Sequence, residues 1–376
     1  MILTNCAACA APLAHDAPRC VRCKTRYCNS TCQHDHWRRG HKQICKKIHR
    51  GGNAEQYHAD QKYKEAVKVA VEKCADDTKG QTCYICTEAV HWKTKEGLVR
   101  GCACRGTMGF AHVSCLAEQA KILVEESEEN NLDDTKFARW HDCSLCEQGY
   151  HGVVKCALGW ACWKTYEGRP EEHWLRWSAM TLLGNGLLAV KHYEAALPVQ
   201  EAELSMLRRV GASEEHMLIA QSNLASTYAA IGQSEQALRL KRDVYTGSSR
   251  LYGEESEEAL IRAGNYADIL VDVEHYGEAK SLLRKMMPVA RRVLGESNLL
   301  TLQMRMNYAR AFYKNDSATL DDFREAVDTL EDAARIARRV LGGSHPLAEV
   351  IEGHLRYTRA VARDCETSGS SLFKPH

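Results

Sequence analysis

The chain has 376 residues, 44% of them hydrophobic and 26% charged, with a formal net charge of +1. That length accommodates two or three domains, and the near-neutral balance excludes a whole-molecule field that would draw the protein to nucleic acid or an anionic membrane. No run of eighteen apolar residues occurs, so no ordinary transmembrane helix is expected.

Fifteen of the eighteen cysteines lie within residues 1–146. Their Cys-x2-Cys and Cys-x-Cys units, interleaved with histidine, suit tetrahedral metal ions better than disulfides. The opening MILTNCAACAAPLA has no basic flank before its apolar residues, so a signal peptide is not expected. A reducing compartment, cytoplasmic or nuclear, is the expected location.

The first series runs Cys6-x2-Cys9-x10-Cys20-x2-Cys23-x4-Cys28-x3-Cys32-x8-His41-x3-Cys45. Eight ligands serve two zinc ions, and so short a segment needs metal to fold. These ligands, with Tyr27, Gln33, Trp37 and Lys42 beside them, resemble the MYND finger, over residues 1–50. The resemblance implies one ion held by Cys6, Cys9, Cys28 and Cys32, and another held by Cys20, Cys23, His41 and Cys45. Only His41 has the family's spacing from Trp37 and to Cys45, so His34 and His36 are expected in solvent. MYND fingers are similar to modules that grip short proline-containing peptides. Residues 19–50 carry ten Lys or Arg against one acid, Asp35. Those cations are expected to offset the zinc thiolates, with nucleic acid not expected as a partner.

A helical linker spans 51–80, with Tyr63, Ala66, Val67, Ala70, Val71 and Cys74 at helical spacing. The second series then reads Cys83-x2-Cys86-x15-Cys102-x-Cys104-x7-His112-x2-Cys115-x27-Cys143-x2-Cys146. With Arg105, Gly106 and Leu116, this pattern over 81–151 resembles the RING-CH, or RING-variant, finger. The resemblance implies a cross-brace in which Cys83, Cys86, His112 and Cys115 hold one ion and Cys102, Cys104, Cys143 and Cys146 hold another, about four zinc ions in the chain. Closed four-ligand sites leave no position for a reactive water. Such fingers are similar to ubiquitin ligases that hold a ubiquitin-conjugating enzyme, and the resemblance places Ile85 in that contact, with packing of the small core as its other reading. The family's tryptophan four residues past Cys115 is Gln119 here, no proline stands in the last pair, and Glu147 replaces the cation common after the last cysteine. The gap before Cys143 also carries an acidic run, Glu125 to Glu129. Cys74, Cys156, Cys162 and Cys365 fall outside both series and read as inert thiols.

From residue 152 the composition turns to Ala, Leu, Glu and Arg. Asn223, Asn265 and Asn307 recur at intervals of 42, as do Gly211, Gly253 and Gly295, the mark of a solenoid. Breaks are expected at Gly232, Glu274 and Lys314. Gly342 follows Gly295 by 47 residues, which places an inserted loop near Asn315 to Asp321. The unit length and the Gly-Glu-Ser and Gly-Ser-His-Pro endings resemble kinesin-light-chain-type tetratricopeptide repeats over 152–364, with 365–376 a disordered tail. Trp160, Trp163, Trp174 and Trp177 are expected to pack where the second zinc module meets the array. The resemblance implies that Asn223, Asn265 and Asn307 line a peptide groove; bonds between helices are the other reading.

The expected fold is therefore mainly α: two small cross-brace zinc modules followed by an α-solenoid. The expected function is a zinc-binding RING-CH-type ubiquitin ligase whose repeats and MYND finger recruit protein substrates, with a conjugating enzyme as partner and no covalent intermediate. The alternative is a non-enzymatic interaction adaptor with structural zinc. A methyltransferase with a MYND finger is disfavoured, because the second zinc module occupies the stretch its catalytic domain would need. No P-loop, dinucleotide fingerprint or serine nucleophile motif appears.

Overall fold

The computed structural model describes residues 5–368 except His15, Asp133 and Ser344. The chain forms two compact units, Met1–Ala212 and Ser213–His376. Among the described residues, extended backbone is limited to four isolated bridges, which flank the cysteine segments 6–9, 20–23, 102–104 and 143–146: Asn5 with Pro12, Arg19 with Arg26, Val99 with Ala111 and Asp142 with Gly149.

In the first unit, the MYND-like segment carries helix α1 (Ser30–His36), whose N-cap Asn29 accepts from the Cys32 amide. A π-helical turn, Trp37–His41, follows and is kinked at Gly40, where φ is 129°. A π-turn shifts the side-chain register, and here it swings His41 inward before α2 (Lys42–Arg50) begins. The linker is α3 (Ala54–Cys74), capped by Asn53. The Ala54 amide donates to the Cys23 carbonyl at 2.7 Å, tying α3 to the first finger.

The second zinc module contributes α4 (Val113–Glu129) and a 3-10 turn, Asp134–Trp140. Three further helices complete this unit: α5 (Gly152–Tyr166), α6 (Trp174–Ala189) and α7 (Tyr193–Val210). Helices α5 and α6 approach closely at glycines; a Cβ on Gly159 would lie 2.8 Å from the Leu182 carbonyl oxygen, and one on Gly186 2.9 Å from the Cys156 Cα. Trp140, Trp160 and Trp163 pack with Ala59 of α3, Ala120 and Val124 of α4 and Leu183 of α6, and Trp174 and Trp177 pad the edge of the same core. The helices expected to open the repeat array thus share a core with the zinc modules as far as Ala212. Apolar continuity decides this, since α5 and α6 are almost uniformly hydrophobic and must be covered on several sides.

The second unit stacks antiparallel helix pairs: α8 (Glu214–Ala230) with α9 (Ser234–Tyr252), α10 (Glu257–Asp272) with α11 (Tyr276–Val293), and α12 (Leu299–Tyr313) with α13 (Leu320–Leu341), followed by α14 (Pro346–Ser368). Ala237, Ala279 and Ala326 are fully buried where each pair closes. Gly253 and Gly342 adopt φ 88° with ψ 151° and 157°, a region reached almost only by glycine. The inserted loop lies between α12 and α13, and Thr319 and Asp322 form a reciprocal capping box that restarts the helix. The last helix continues to Ser368, past residue 365 where a tail is expected to begin; residues 369–376 lie outside the described ones.

Candidate metal centres and the RING-variant cleft

Sixteen Cys and His side chains gather into four groups: Cys6, Cys9, Cys28 and Cys32; Cys20, Cys23, His41 and Cys45; Cys83, Cys86, His112 and Cys115; and Cys102, Cys104, Cys143 and Cys146. Within each group the ligand atoms lie within 4.8 Å of one another. Sγ to Sγ separations are 3.6 Å for Cys9 and Cys28 and 3.8 Å for Cys20 and Cys45 and for Cys104 and Cys143. A tetrahedron with zinc to sulfur bonds of about 2.3 Å has edges of about 3.8 Å, whereas a disulfide would bring sulfurs to about 2.05 Å. All eighteen cysteines are free. The geometry therefore fits four zinc ions.

The electrostatics suit a cation as well. Contact with Cys9 pushes the Cys28 thiol up to about 12, and burial pushes Cys45 up to about 12. Three or four sulfurs this crowded cannot all ionise unless a divalent ion neutralises them. Backbone amides already turn toward the sulfurs, from Ala8 and Cys28 to Cys6, from Ile85 to Cys83, and from Leu145 to Cys143. Such donors favour thiolate in the knuckle turns.

His41 presents Nε2 to the metal group, 3.3 Å from Cys23 Sγ. His112, just before α4, presents Nδ1, 3.3 Å from Cys86 Sγ. Burial is the main cause lowering both imidazole pKa values, which keeps the rings in the neutral form a metal needs. His34 is exposed as expected, but His36 is not free in solvent. Its ring stacks on His41 at 4.8 Å, and its Nδ1 meets the Tyr27 hydroxyl at 3.0 Å. His36 therefore positions a ligand, a role visible only once the π-turn sets the register. Gly109 was also missed: at φ 82° it lies where a Cβ would come within 2.6 Å of Cys104 Cβ and 3.0 Å of its sulfur.

Beside the third metal group runs a cleft of about 1080 Å³ whose walls include Ile85, Trp92, Gln119 and Ile122. Trp92 is 67% exposed and Ile122 44%; Ile85 is half-buried. The loop bearing Trp92 is pinned to the start of α4, where Glu96 Oε1 accepts from the Ser114 amide at 2.7 Å and its hydroxyl at 2.6 Å. A carboxylate there also meets the positive end of the helix dipole.

Of the three repeat asparagines, Asn307 is 2% exposed, and its Oδ1 accepts from Arg310 Nη1 at 2.7 Å. Arg310 in turn bonds Asp268 and Asp272 of the preceding repeat. Asn307 is thus committed between helices, which corrects its expected place on a peptide groove. Asn223 and Asn265 are half-buried. Burial raises the thiol pKa of Cys74, takes Cys156 up to about 11 and takes Cys162 well above its ordinary value; burial also raises that of Cys365. None of the four is a prepared nucleophile.

Residues 6–45 match the MYND finger family, residues 83–146 the RING-variant domain, and residues 315–347 a tetratricopeptide repeat. The chain carries all three modules. No curated protein matches it. Among solved structures, a putative kinesin light chain with nearly identical TPR-like repeats from Podosopora anserina is 19% identical, covering 61% of this chain and 97% of that one at a TM-score of 0.39. BtubC (BKLC) from P. vanneervenii is 13% identical, covering 70% and 95% at 0.36. The protein is a zinc-binding, multidomain interaction protein, and none of its described helices is long and apolar enough to cross a membrane.

Proposed function

We propose that the protein is a ubiquitin ligase of the RING-variant type, working in a reducing cytoplasmic or nuclear compartment, in which the zinc modules shape a docking surface for a conjugating enzyme and the repeats hold a protein substrate. The observation that carries this reading is the cleft formed by Ile85, Trp92 and Ile122 against α4. An exposed tryptophan next to two aliphatic side chains is the composition of a protein contact. Where the family places an aromatic residue on the helix, this chain has Gln119; Trp92, reaching the same cleft from the first loop, supplies the missing apolar surface. Four protein ligands close each ion, so the zinc shapes the surface and takes no part in bond making. Catalysis on this reading is positional: the charged enzyme and a substrate lysine are held close, and no cysteine of this chain forms a thioester. Asn223 and Asn265 remain the proposed amides of the repeat groove, where side-chain amides can bond an extended backbone.

The test is discharge of ubiquitin from a panel of charged conjugating enzymes by the zinc-loaded full chain. Stimulated discharge that falls about tenfold or more in Trp92→Ala and in Ile85→Ala, an effect in the range of an interface hot spot, supports the proposal. No stimulation across the panel by protein holding its four ions overturns it in favour of the adaptor, a reading that Glu147 in place of a cation already favours.

A further inference from the structure

Helix α2 of the first finger turns its short apolar face inward and leaves a cationic face without a partner. Cys45 and Ile48 are buried, while Lys42, Lys46, Lys47 and Arg50 are exposed, as are Arg38 and Arg39 in the turn before it. Lys42, Lys46 and Arg50 follow at intervals of four, which lines them up along one side about 6 Å apart. Among the described residues, Arg38, Lys42, Lys46 and Arg50 meet no carboxylate, Arg39 donates to the Ala8 carbonyl at 3.5 Å and approaches Asp35 at 3.9 Å, and Lys47 lies over the Tyr57 ring.

Neutralising the metal clusters does not account for these charges. Seven thiolates around two zinc ions leave about three negative charges. Ten cations against one acid over residues 19–50 leave an excess of nine. About two thirds of the excess is therefore uncompensated. Arg19, Lys24 and Arg26 line a separate cleft in which Glu55, Glu171, Glu194 and Glu201 also stand. Apart from the exposed Arg22, the residual field belongs to α2 and the turn before it.

The geometry points to this face as a binding site for single-stranded nucleic acid. A row of cations on a helix neutralises successive phosphates and releases their counterions. Trp37 stands at the head of the row, 39% exposed and next to Arg38, and offers an indole on which a base stacks. A membrane fits less well, because Ile44 is the only exposed apolar side chain on α2 and a surface-bound helix needs an apolar stripe. Whole-chain neutrality argues against nucleic acid for the molecule at large, but binding is decided by the local field.

The test is fluorescence anisotropy of labelled single-stranded RNA and DNA oligonucleotides with the zinc-loaded full chain across a salt series. Expected is binding whose log-log salt slope reflects about four phosphate contacts, near −3 at about −0.7 per contact. The triple reversal Lys42→Glu, Lys46→Glu, Arg50→Glu should weaken it more than about tenfold, and the milder Lys42→Gln, Lys46→Gln, Arg50→Gln should lower the slope by about two. Native mass spectrometry checks that each variant keeps four zinc ions. Absence of binding, binding that either folded variant leaves unchanged, or uptake by phosphatidylcholine and phosphatidylserine vesicles but not by oligonucleotides would overturn the assignment.

Discussion

The two halves of this molecule are both helical, yet they are held together by different physics. The unit ending at Ala212 contains all sixteen residues of the metal groups and all seven tryptophans; the unit from Ser213 contains one cysteine, Cys365, and no tryptophan. In the first, short turns gain shape from ions, and the large helices α5 and α6 then close over them. In the second, each helix pair buries alanine and leucine against its neighbour, and the same contact recurs along the chain. A metal-built region is expected to lose its structure all at once. A repeat array depends on nearest-neighbour packing and has no such single point of failure.

Chelation is the strongest way to break that contrast. Structural zinc supplies on the order of 10 kcal/mol per ion, so a strong chelator should collapse the first unit and leave the second helical. Because every tryptophan lies in the first unit, and the helices divide about evenly between the two units, the expected result is a red-shifted tryptophan emission with about half of the far-ultraviolet circular dichroism retained. Loss of both signals together would show that the halves fold as one.

The next effect is local to one ion. Gly109→Ala places a Cβ against Cys104 and should remove the ion held by Cys102, Cys104, Cys143 and Cys146, so that native mass spectrometry counts three zinc ions. Four ions at an unchanged melting temperature would contradict the geometry.

Smaller effects sharpen the comparison through pH. Burial takes Glu203 of the first unit from 4.5 up to about 8. Its folded form keeps a proton that the unfolded chain releases, so stability present below about pH 4.5 is lost as pH rises toward 8. Glu203→Gln should remove that decline and stabilise the first unit at pH 8 by about 1–3 kcal/mol, read from tryptophan-detected melting. Lys241 of the second unit has the opposite sign: burial takes it from 10.5 down to about 8. Its folded form releases a proton first, so stability rises with pH between about 8 and 10.5. Lys241 occupies the repeat position filled by the fully buried Leu283 and Leu330, and bonds only the Ser222 carbonyl and the Ser226 hydroxyl. Lys241→Leu should raise stability at pH 7 by about 1–2 kcal/mol and flatten the alkaline rise in thermal melts followed by circular dichroism. A destabilised variant would mean those two bonds outweigh the buried charge.

Much of this was legible in the chain. Ligand spacing led to the same four groups that the structure brings together, because a closed tetrahedron demands four donors in pairs on short turns. The 42-residue period located the breaks at Gly232 and Glu274, both at positive φ, and at Lys314, where α12 ends with a helical φ of -80° ahead of the inserted loop. What spacing could not show was what lies between the ligands. His36 differs from His34 only by facing His41 after the π-turn. Asn307 shares a register with Asn223 and Asn265 yet is enclosed, since Arg310, Asp268 and Asp272 of adjacent repeats converge around it. Periodicity records position along a helix; it carries no information about which neighbour arrives from another turn.

The sequence alone determined the metal, the number of ions and the helical repeat, since these follow from donor chemistry and local periodicity. Tertiary structure decided that α5, α6 and α7 join the zinc half, that Trp92 comes to line one cleft with Ile85 and Ile122, and that the cations along one side of α2 meet no carboxylate among the described residues. Each of those depends on which surfaces meet across long stretches of chain, and apolar coverage and exposure exist only once the chain has closed on itself.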